Sequence, residues 1–415
     1  MTIPDLSGVA WVRLTFVDVF GTGNSVQLPA ERFAEACERG VPFDGSSLEG
    51  RARHFESDML LMPDPQTVTS ITGDTARVVC MAATIEGSPW AGDPRTALQT
   101  ALARYDDLRE MYTASAELEF YILDQEGRPV DGGGYYDEEE GPGDSVTRTA
   151  AARLRAAGVR VNGCHHEAGP GQYEIDLAPA PPLALADGIG MAKQLIKEAA
   201  QEQGVRATFM PRPLNDLPGS GLHIHQRAGE AFFDEKGRLT DDGRRFVAGQ
   251  LTHARALSAL AAPTVNSYKR LHAGPEAPSA AIWAYTSRAA LIRVSSFRGD
   301  DASIEYRAAD PSSNPYLLLA ALLAAGVQGL ESDLELGPPG DEDVGGYDPA
   351  GESQRYQSLP RDLDSALDAL LEDDVLVDSF DPQLLNRLVD GRRSEAEAYR
   401  AHVTTWERGA YLEQA

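Results

Sequence analysis

Short stretches of the chain alternate apolar and polar residues with a period of two, and longer stretches do not. Val12, Leu14 and Phe16 alternate with Arg13 and Thr15, which predicts a half-buried strand. Residues 29–39 predict a short helix that Gly40 ends, and residues 77–83 a second, more apolar strand. The Pro-Trp-Ala-Gly-Asp-Pro stretch at 89–94 carries turn chemistry and divides the chain into units 1–90 and 91–415. Beyond it, strands alternate with helices expected over 98–111, 187–203, 244–262, 363–371 and 394–411. A further helix starts at Pro315, where a missing N–H is harmless, with Asn314 placed to cap it. Residues 131–144 and 337–352 are acidic and glycine-rich and are expected as loops.

Four of the predicted strands set polar groups on one face. Residues 116–122 read Ala-Glu-Leu-Glu-Phe-Tyr-Ile, so Glu117 and Glu119 share a face and Leu118 and Phe120 the other. In Gln-Tyr-Glu-Ile-Asp-Leu (172–177), Glu174 is polar between Tyr173 and Ile175. In Leu-His-Ile-His-Gln (222–226), His223 and His225 pair off; in Ser-Ile-Glu-Tyr-Arg-Ala (303–308), Glu305 and Arg307 do. His165-His166-Glu167 stands just before the second of these. One such strand is an ordinary wet face. Several together must face water or surround cations, because isolated buried carboxylates are too costly. Glutamates with one or two histidines and no ligating cysteine suit hard divalent cations such as Mg²⁺ or Mn²⁺, and argue against zinc-thiolate or iron–sulfur centres.

Composition narrows the class. The 415 residues are 42% hydrophobic and 24% charged, as in an average soluble protein, and suffice for a sizeable core. A formal net charge of −27 disfavours nucleic acid as a partner. Cys37, Cys80 and Cys164 are scattered without a CxxC pair, so reduced, buried or half-buried thiols are expected and no disulfide framework. No basic segment followed by an apolar one opens the chain, and the longest apolar run, 316–327, is shorter than the ~20 residues that span a bilayer. A cytoplasmic protein without a membrane partner is the expectation.

The motifs, in order, resemble those of type I glutamine synthetases from about Trp11 to Leu412. The resemblance is carried by Phe43-Asp44-Gly45-Ser46-Ser47, Glu56-Ser57-Asp58-Met59, Glu117-Leu118-Glu119-Phe120, His165-His166-Glu167 and Gly171-Gln172-Tyr173-Glu174-Ile175-Asp176. It continues through Ala207-Thr208-Phe209-Met210-Pro211, Gly219-Ser220-Gly221-Leu222-His223, Asn266-Ser267-Tyr268-Lys269-Arg270-Leu271 and Asp310-Pro311-Ser312-Ser313-Asn314-Pro315-Tyr316. It implies an α+β fold: an N-terminal β-grasp domain and a catalytic domain whose curved antiparallel sheet is flanked by helices. It also implies rings of six, commonly stacked as dodecamers, with active sites between subunits. The implied activity is an ATP-dependent carboxylate–amine ligase that makes a γ-glutamyl amide from glutamate and ammonia through a γ-glutamyl phosphate.

Motif by motif, the resemblance places Glu119, Glu167 and Glu174 on one Mg²⁺ or Mn²⁺ and Glu117, His223 and Glu305 on a second beside the ATP phosphates, with about two or three cations per site. Arg288 and Arg293 would contact phosphate, with His225 also in the ATP site. Arg307 would serve the γ-carboxylate and the transferred phosphoryl group, and Arg270 the α-carboxylate, where a planar guanidinium binds with two hydrogen bonds. Asp44 from a neighbouring subunit would deprotonate ammonium, and Ser47, Tyr135, Glu167 and Glu276 would complete that pocket. Gly219 would bind substrate, and Glu276 sits in a Gly-Pro-Glu-Ala-Pro flap that excludes water.

The sequence departs from the family at three places in the site. Pro218 precedes Gly219 where an Asn is usual, His272-Ala273-Gly274-Pro275 replaces the usual flap, and Ala178-Pro179 follows the Glu174 strand. The loop around Tyr347 does not match the adenylylation loop of some relatives. The alternatives are therefore a γ-glutamyl-amine ligase acting on a polyamine, alkylamine or ethanolamine, and a silent structural or regulatory relative.

Overall fold

A computed structural model describes residues 4–49, 58–105, 108, 110–138, 140–272, 276–295, 297, 299–340 and 356–414. Glu56 and Ser57, the flap residues 273–275 and the loop around Tyr347 lie outside them.

The first sheet is built from β1 (Trp11–Val17), β2 (Gly23–Pro29), β3 (Val41–Asp44), β4 (Asp58–Pro63), β5 (Thr69–Thr72) and β6 (Thr75–Ala83), with helix α1 (Phe33–Arg39) between β2 and β3. The strand order is β2-β1-β6-β4-β3, with β5 on β6, and β1 runs parallel to β6. Even-numbered residues of β1 and β6 (Val12, Leu14, Phe16, Val78, Cys80, Ala82) pack with Phe33 and Cys37 of α1 into a separate small core. Gly40 ends α1 at φ +73°, and a Cβ there would stand 2.7 Å from the Met62 sulfur, so both conformation and space require glycine.

The larger sheet follows. Its elements are α2 (Pro94–Arg104), β7 (Thr113–Leu123), α3 (Pro142–Ala156), β8 (Val161–His166), β9 (Gln172–Ala180), α4 (Pro182–Glu202), β10 (Arg206–Thr208) and β11 (Leu222–Arg227). Three helices, α5 (Asp241–Thr252), α6 (Ala254–Ala261) and α7 (Val265–Leu271), lead to β12 (Trp283–Ala284), β13 (Ile292–Val294) and β14 (Ile304–Tyr306). The chain ends in α8 (Pro315–Glu331), α9 (Leu363–Leu371), α10 (Asp374–Val377), α11 (Pro382–Ala401) and α12 (Thr405–Tyr411). The strand order is β12-β13-β14-β11-β7-β9-β8, antiparallel except for the short β12–β13 edge, with β10 on β7. Leu118, Ile175, Leu222, Ile224 and Tyr306 lie in the main core, where β7 packs on α4 and β9 on α3 and α4.

Several helix bounds differ from the sequence expectation, each for a local reason. The helix expected over 98–111 starts earlier, because Asp93 caps it through the Thr96 N–H at 2.8 Å with Pro94 in the first turn. The helix expected over 244–262 is divided at His253, whose ring is held by Asp373 and Gln328. The helix expected over 394–411 is two: α11 begins at Pro382 behind Asp381, and α12 has its own capping box between Thr404 and Glu407. Asn314 caps α8 as expected, accepting from Tyr316 N–H, and its amide also donates to Asp18 O at 3.1 Å, tying α8 to the β1–β2 turn. Cys37 and Cys80 are buried and all three cysteines are free, but Cys164 is exposed rather than half-buried. Among the described residues no helix is long and apolar enough to cross a membrane.

The two sheets meet at a buried charge. Arg95, 1% exposed, gives Nε to Asp187 Oδ1 at 3.0 Å and Nη2 to Asp187 Oδ2 and Asp64 Oδ2, each at 2.9 Å. Tyr316 O–H donates to Asp187 Oδ1 at 2.7 Å. Asp64 follows β4, Asp187 lies on α4 and Tyr316 on α8, so one guanidinium joins the first sheet to the second layer. Removing one partner of a buried pair strands the other charge, typically at about 3–5 kcal/mol. Arg95→Met is expected to lower unfolding stability by about that much in urea denaturation; a loss under about 1 kcal/mol would show that the cluster does not hold the sheets together.

Candidate active site

Strand register brings the polar faces into rows, since residues opposite one another in antiparallel strands share a face. One row runs Arg293, Glu305, His225, Ser115 across β13, β14, β11 and β7. The next runs His223, Glu117, Asp176, Gly163 across β11, β7, β9 and β8. The third runs Glu119, Glu174, His165.

At one end the acids are matched by bases. Glu117 lies 2.9 Å from both His223 Nδ1 and His225 Nε2, and His225 Nδ1 meets Ser303 Oγ at 3.1 Å. Burial works against the charge of Glu117, but the two histidine contacts outweigh it and hold its pKa well below the usual range. Glu305, 1% exposed, is engaged by Arg293 and by Arg307, and His223 Nδ1 stands 3.6 Å from it. Burial again opposes its charge, while Arg307, His225 and His223 keep its pKa low. Donor atoms of Glu117, His223 and Glu305 lie within 4.8 Å of one another.

The other end lacks such compensation. Glu119 Oε2 accepts from the Gly221 N–H at 2.8 Å and from Gln172 Nε2 at 3.2 Å. Glu174 meets His165 Nε2 at 3.2 Å, and Glu167 accepts from the Ala168 N–H. Burial, then the Glu119 charge, pushes Glu167 up to about 7 and Glu174 well above the ordinary range. The second compact donor group here is His165, Glu174 and Asp176, rather than Glu119, Glu167 and Glu174 together. All these donors are carboxylate oxygens or imidazole nitrogens. That set, with carboxylates crowded until they hold protons, fits hard divalent cations.

A cleft of about 590 Å³ opens beside this face, lined among others by Glu119, His223, Arg212, Gly219, Arg270, Glu276 and Arg307. Arg270 is buried and donates to Ala308 O and Arg307 O, both at 3.1 Å. Arg307 gives Nε to Arg288 O at 2.9 Å. Gly219 and Gly221 are needed by close approach: a Cβ on Gly219 would stand 2.6 Å from Arg270 Cγ, and on Gly221 2.5 Å from His223 Nε2. At the cleft edge Arg288 lies 5.2 Å over the Tyr135 ring and 3.9 Å from Glu276, and Tyr135 stacks on Tyr136. Asp44 and Ser47 are elsewhere, on the β3 edge of the first sheet, and are not among the described lining residues of this cleft. There Asp44 accepts from Ser46 N–H and Oγ–H, and Ser47 Oγ–H donates to Asp44 O.

Three contributors were given no role from the sequence. Asp176 shares the Glu174 face, and the period of two could have found it. His165 has the same signal along β8. Asp131 had none: it accepts from Tyr173 O–H at 2.7 Å and the Gly171 N–H at 2.7 Å and meets His166 Nε2 at 2.9 Å, partners that only the fold brings to it.

Family models match nearly the whole chain: "Glutamine synthetase, catalytic domain" over residues 91–411 and "Glutamine synthetase, beta-Grasp domain" over residues 8–85. The glutamine synthetase of Halobacterium salinarum is 36% identical over 431 residues, covering 99% of this chain and 95% of its own. That of Mycolicibacterium smegmatis is 38% identical over 430 residues, covering 97% and 96%. Among solved structures, the ADP complex of GmaS has a TM-score of 0.85 at 28% identity, covering 98% of this chain and 97% of that one. A Plasmodium falciparum glutamine synthetase has a TM-score of 0.86 at 21% identity, covering 98% and 96%, a likeness of fold.

The raised carboxylates give a pH signature. With Glu167 at about 7 against an ordinary 4.5, the folded chain keeps a proton that the unfolded chain has lost, so this group's contribution to stability falls as pH rises from about 4.5 to about 7 and is level beyond. A cation bound by the ionised carboxylate must displace that proton. Mn²⁺ affinity is therefore expected to rise with pH up to about 7 with measurable proton release, and Glu167→Gln to flatten the rise, in calorimetric titrations in buffers of differing ionisation enthalpy. A pH-independent affinity in the parent chain would contradict the assignment.

Proposed function

Because the chain belongs to the glutamine synthetase family, we propose that it is an ATP-dependent ligase joining glutamate to ammonia. The observation that carries this reading is the pairing of one sheet face, where Glu117, His223 and Glu305 converge, with a cleft containing Arg270 and Arg307. A triphosphate and an amino acid need those two surfaces side by side. Bound Mg²⁺ or Mn²⁺ would neutralise phosphate charge. Glu117, His223 and Glu305 would hold one cation, and Glu119, Glu167 and Glu174 another.

The remaining roles follow from placement. Arg270, fixed by two main-chain oxygens, presents a rigid guanidinium to the α-carboxylate. Gly219 lets the chain pass close to Arg270, so its backbone can border the substrate. Arg307 sits between Glu305 and the cleft, where it orients the γ-carboxylate as its oxygen attacks the γ-phosphorus of ATP and ADP leaves. His225, Arg288 and Arg293 serve the nucleotide phosphates. A carboxylate then takes a proton from ammonium, the lone pair of the ammonia so formed attacks the acyl carbon of γ-glutamyl phosphate, phosphate leaves, and the amide nitrogen gives its surplus proton to the departing phosphate. Asp44 is the base in this reading. Its absence from the cleft of its own chain fits a role in the site of a neighbouring copy, with Ser47 beside it, in a homo-oligomeric ring. Tyr135, Glu167 and Glu276 border the ammonium side, and the Glu276 segment keeps water from the acyl phosphate.

A second reading rests on Pro218 at the cleft wall, where the family usually carries an Asn amide. A changed wall fits a γ-glutamyl-amine ligase whose acceptor is a larger amine.

ATP-dependent phosphate release with glutamate, scanned over ammonia, alkylamines, ethanolamine and polyamines, decides between the two. Ammonia is expected to give the highest kcat/KM. A preferred larger amine would establish the second reading, and no turnover together with no Mg²⁺ or Mn²⁺ binding would remove both. Asp44→Ala is expected to lower the amide-forming rate by about 10²–10⁴-fold, with metal and nucleotide affinities within about twofold of the parent. Equal loss of all three would show that Asp44 is structural.

A further inference from the structure

A second cavity, of about 490 Å³, lies between the first sheet and α4. That volume is within the range of small-molecule sites. The parallel pairing of β1 with β6 sets Arg13 beside Arg77 and Thr15 beside Val79, on the face opposite the small apolar core. Arg77, Thr15 and Val79 form one wall, Lys193, Gln194 and Lys197 of α4 another, and Pro311 and Ser312 close it.

Arg77 is 6% exposed, and its Nε and Nη1 have no hydrogen-bond partner among the described residues. The carboxylate nearest in influence, Asp187, has both oxygens engaged by Arg95, one of them also by Tyr316. Arg13, beside Arg77, is paired with Glu198 at 3.1 Å. Among the described residues Lys193 donates to Pro311 O alone, and Lys197 lies over the Phe209 ring at 5.6 Å. No Asp or Glu is among the described residues that line the cavity. A chain with a formal net charge of −27 thus places three cations on a cavity whose described lining carries no acid, while Asp187 and Glu198 act on Arg77 and Asp310 on Lys193 from outside that lining. A buried guanidinium with two unbonded N–H groups is costly, and one that lines a cavity together with two ammonium groups has the makings of an anion receptor.

We propose that this cavity binds a small dianion of the phosphate or dicarboxylate class, anchored by Arg77 and flanked by Lys193 and Lys197. The site is separate from the cleft, whose described lining includes none of these three residues. Gln194 and Ser312 also line the cavity, but Gln194 donates to Glu198 at 2.9 Å and Ser312 to Asp310, so the anion's partners are the three cations.

Calorimetric titration of the full chain with inorganic phosphate and with succinate, without nucleotide, tests it. Arg77→Met and Lys197→Gln probe the cavity, and Arg270→Met controls for binding in the cleft. At least one probe is expected to bind saturably, about tenfold more weakly in Arg77→Met and about threefold more weakly in Lys197→Gln, and as tightly as the parent in Arg270→Met. Phosphate alone marks an oxyanion site, and succinate alone a dicarboxylate site. Lys197 is exposed, so its substitution reports on binding even if Arg77→Met fails to fold. In buffer free of multivalent anions the melting temperature of Arg77→Met is expected at or above that of the parent, and the bound anion is expected to raise only the parent's. Absence of saturable binding, equal binding in Arg77→Met, or loss confined to Arg270→Met overturns the proposal. So does a carboxylate of a second copy occupying the cavity in the assembled protein.

Discussion

Glu305 sits almost wholly out of water between two arginines, Arg293 across the strand pair and Arg307 two residues on, with His223 beyond it. That enclosure governs the whole sheet face. An ionised carboxylate removed from solvent must be met by positive charge or by several donors. Towards β13 the need is met inside the protein: Arg293, Glu305 and His225 alternate base, acid and base in one register, and Glu117 of the next row meets both histidines. Towards β8 the fixed bases run out. His165 is the base beside Glu174, and Glu167 and Glu174 are pushed towards protonation. One continuous face therefore holds carboxylates at both extremes of their range. Its demand for an added cation is steepest at the β9–β8 end, where the chain supplies least of its own.

The same arithmetic explains which parts of the site the sequence could reveal. A strand's period of two is a local property, so the polar faces bearing Glu117, Glu119, Glu174, His223, His225 and Glu305 are visible in single segments. Their assembly into rows depends on register between strands separated by up to about a hundred residues, and motif resemblance, rather than periodicity, supplied it. Partnerships that cross the fold were not legible. Nothing local to Asp131 announces that it holds Tyr173, His166 and Gly171. Arg307 shares its strand face with Glu305, but nothing local to Arg293 shows that it too spends a donor on Glu305.

Helix bounds follow a similar division. A cap signal stands in the sequence at Asn314-Pro315, and equally at Asp93-Pro94 and Asp381-Pro382, where the apolar spacing is clearest further along the chain. The break at His253 is different in kind. Residues on both sides are helical, and the ring that interrupts them is held by Asp373, 120 positions away. No window of sequence contains both partners.

Two buried guanidiniums near the sheet–helix junction make the sharpest contrast in the molecule. Arg95 is bonded to three carboxylate oxygens through Nε and Nη2, with Nη1 unbonded among the described residues, and its surroundings read as a structural joint. Arg77 has comparable burial, the same carboxylate within electrostatic reach, and no bond from Nε or Nη1 to any described residue. If joining the first sheet to α4 were the task of both, a carboxylate facing Arg77 would complete the second joint as Asp187 completes the first. The cavity that Arg77 lines carries Lys193 and Lys197 and no described carboxylate, a gathering of like charge that a purely structural role does not call for. An arrangement that is unfavourable as packing becomes favourable once an anion enters. That reversal, rather than the size of the cavity, is what separates a receptor from a packing defect.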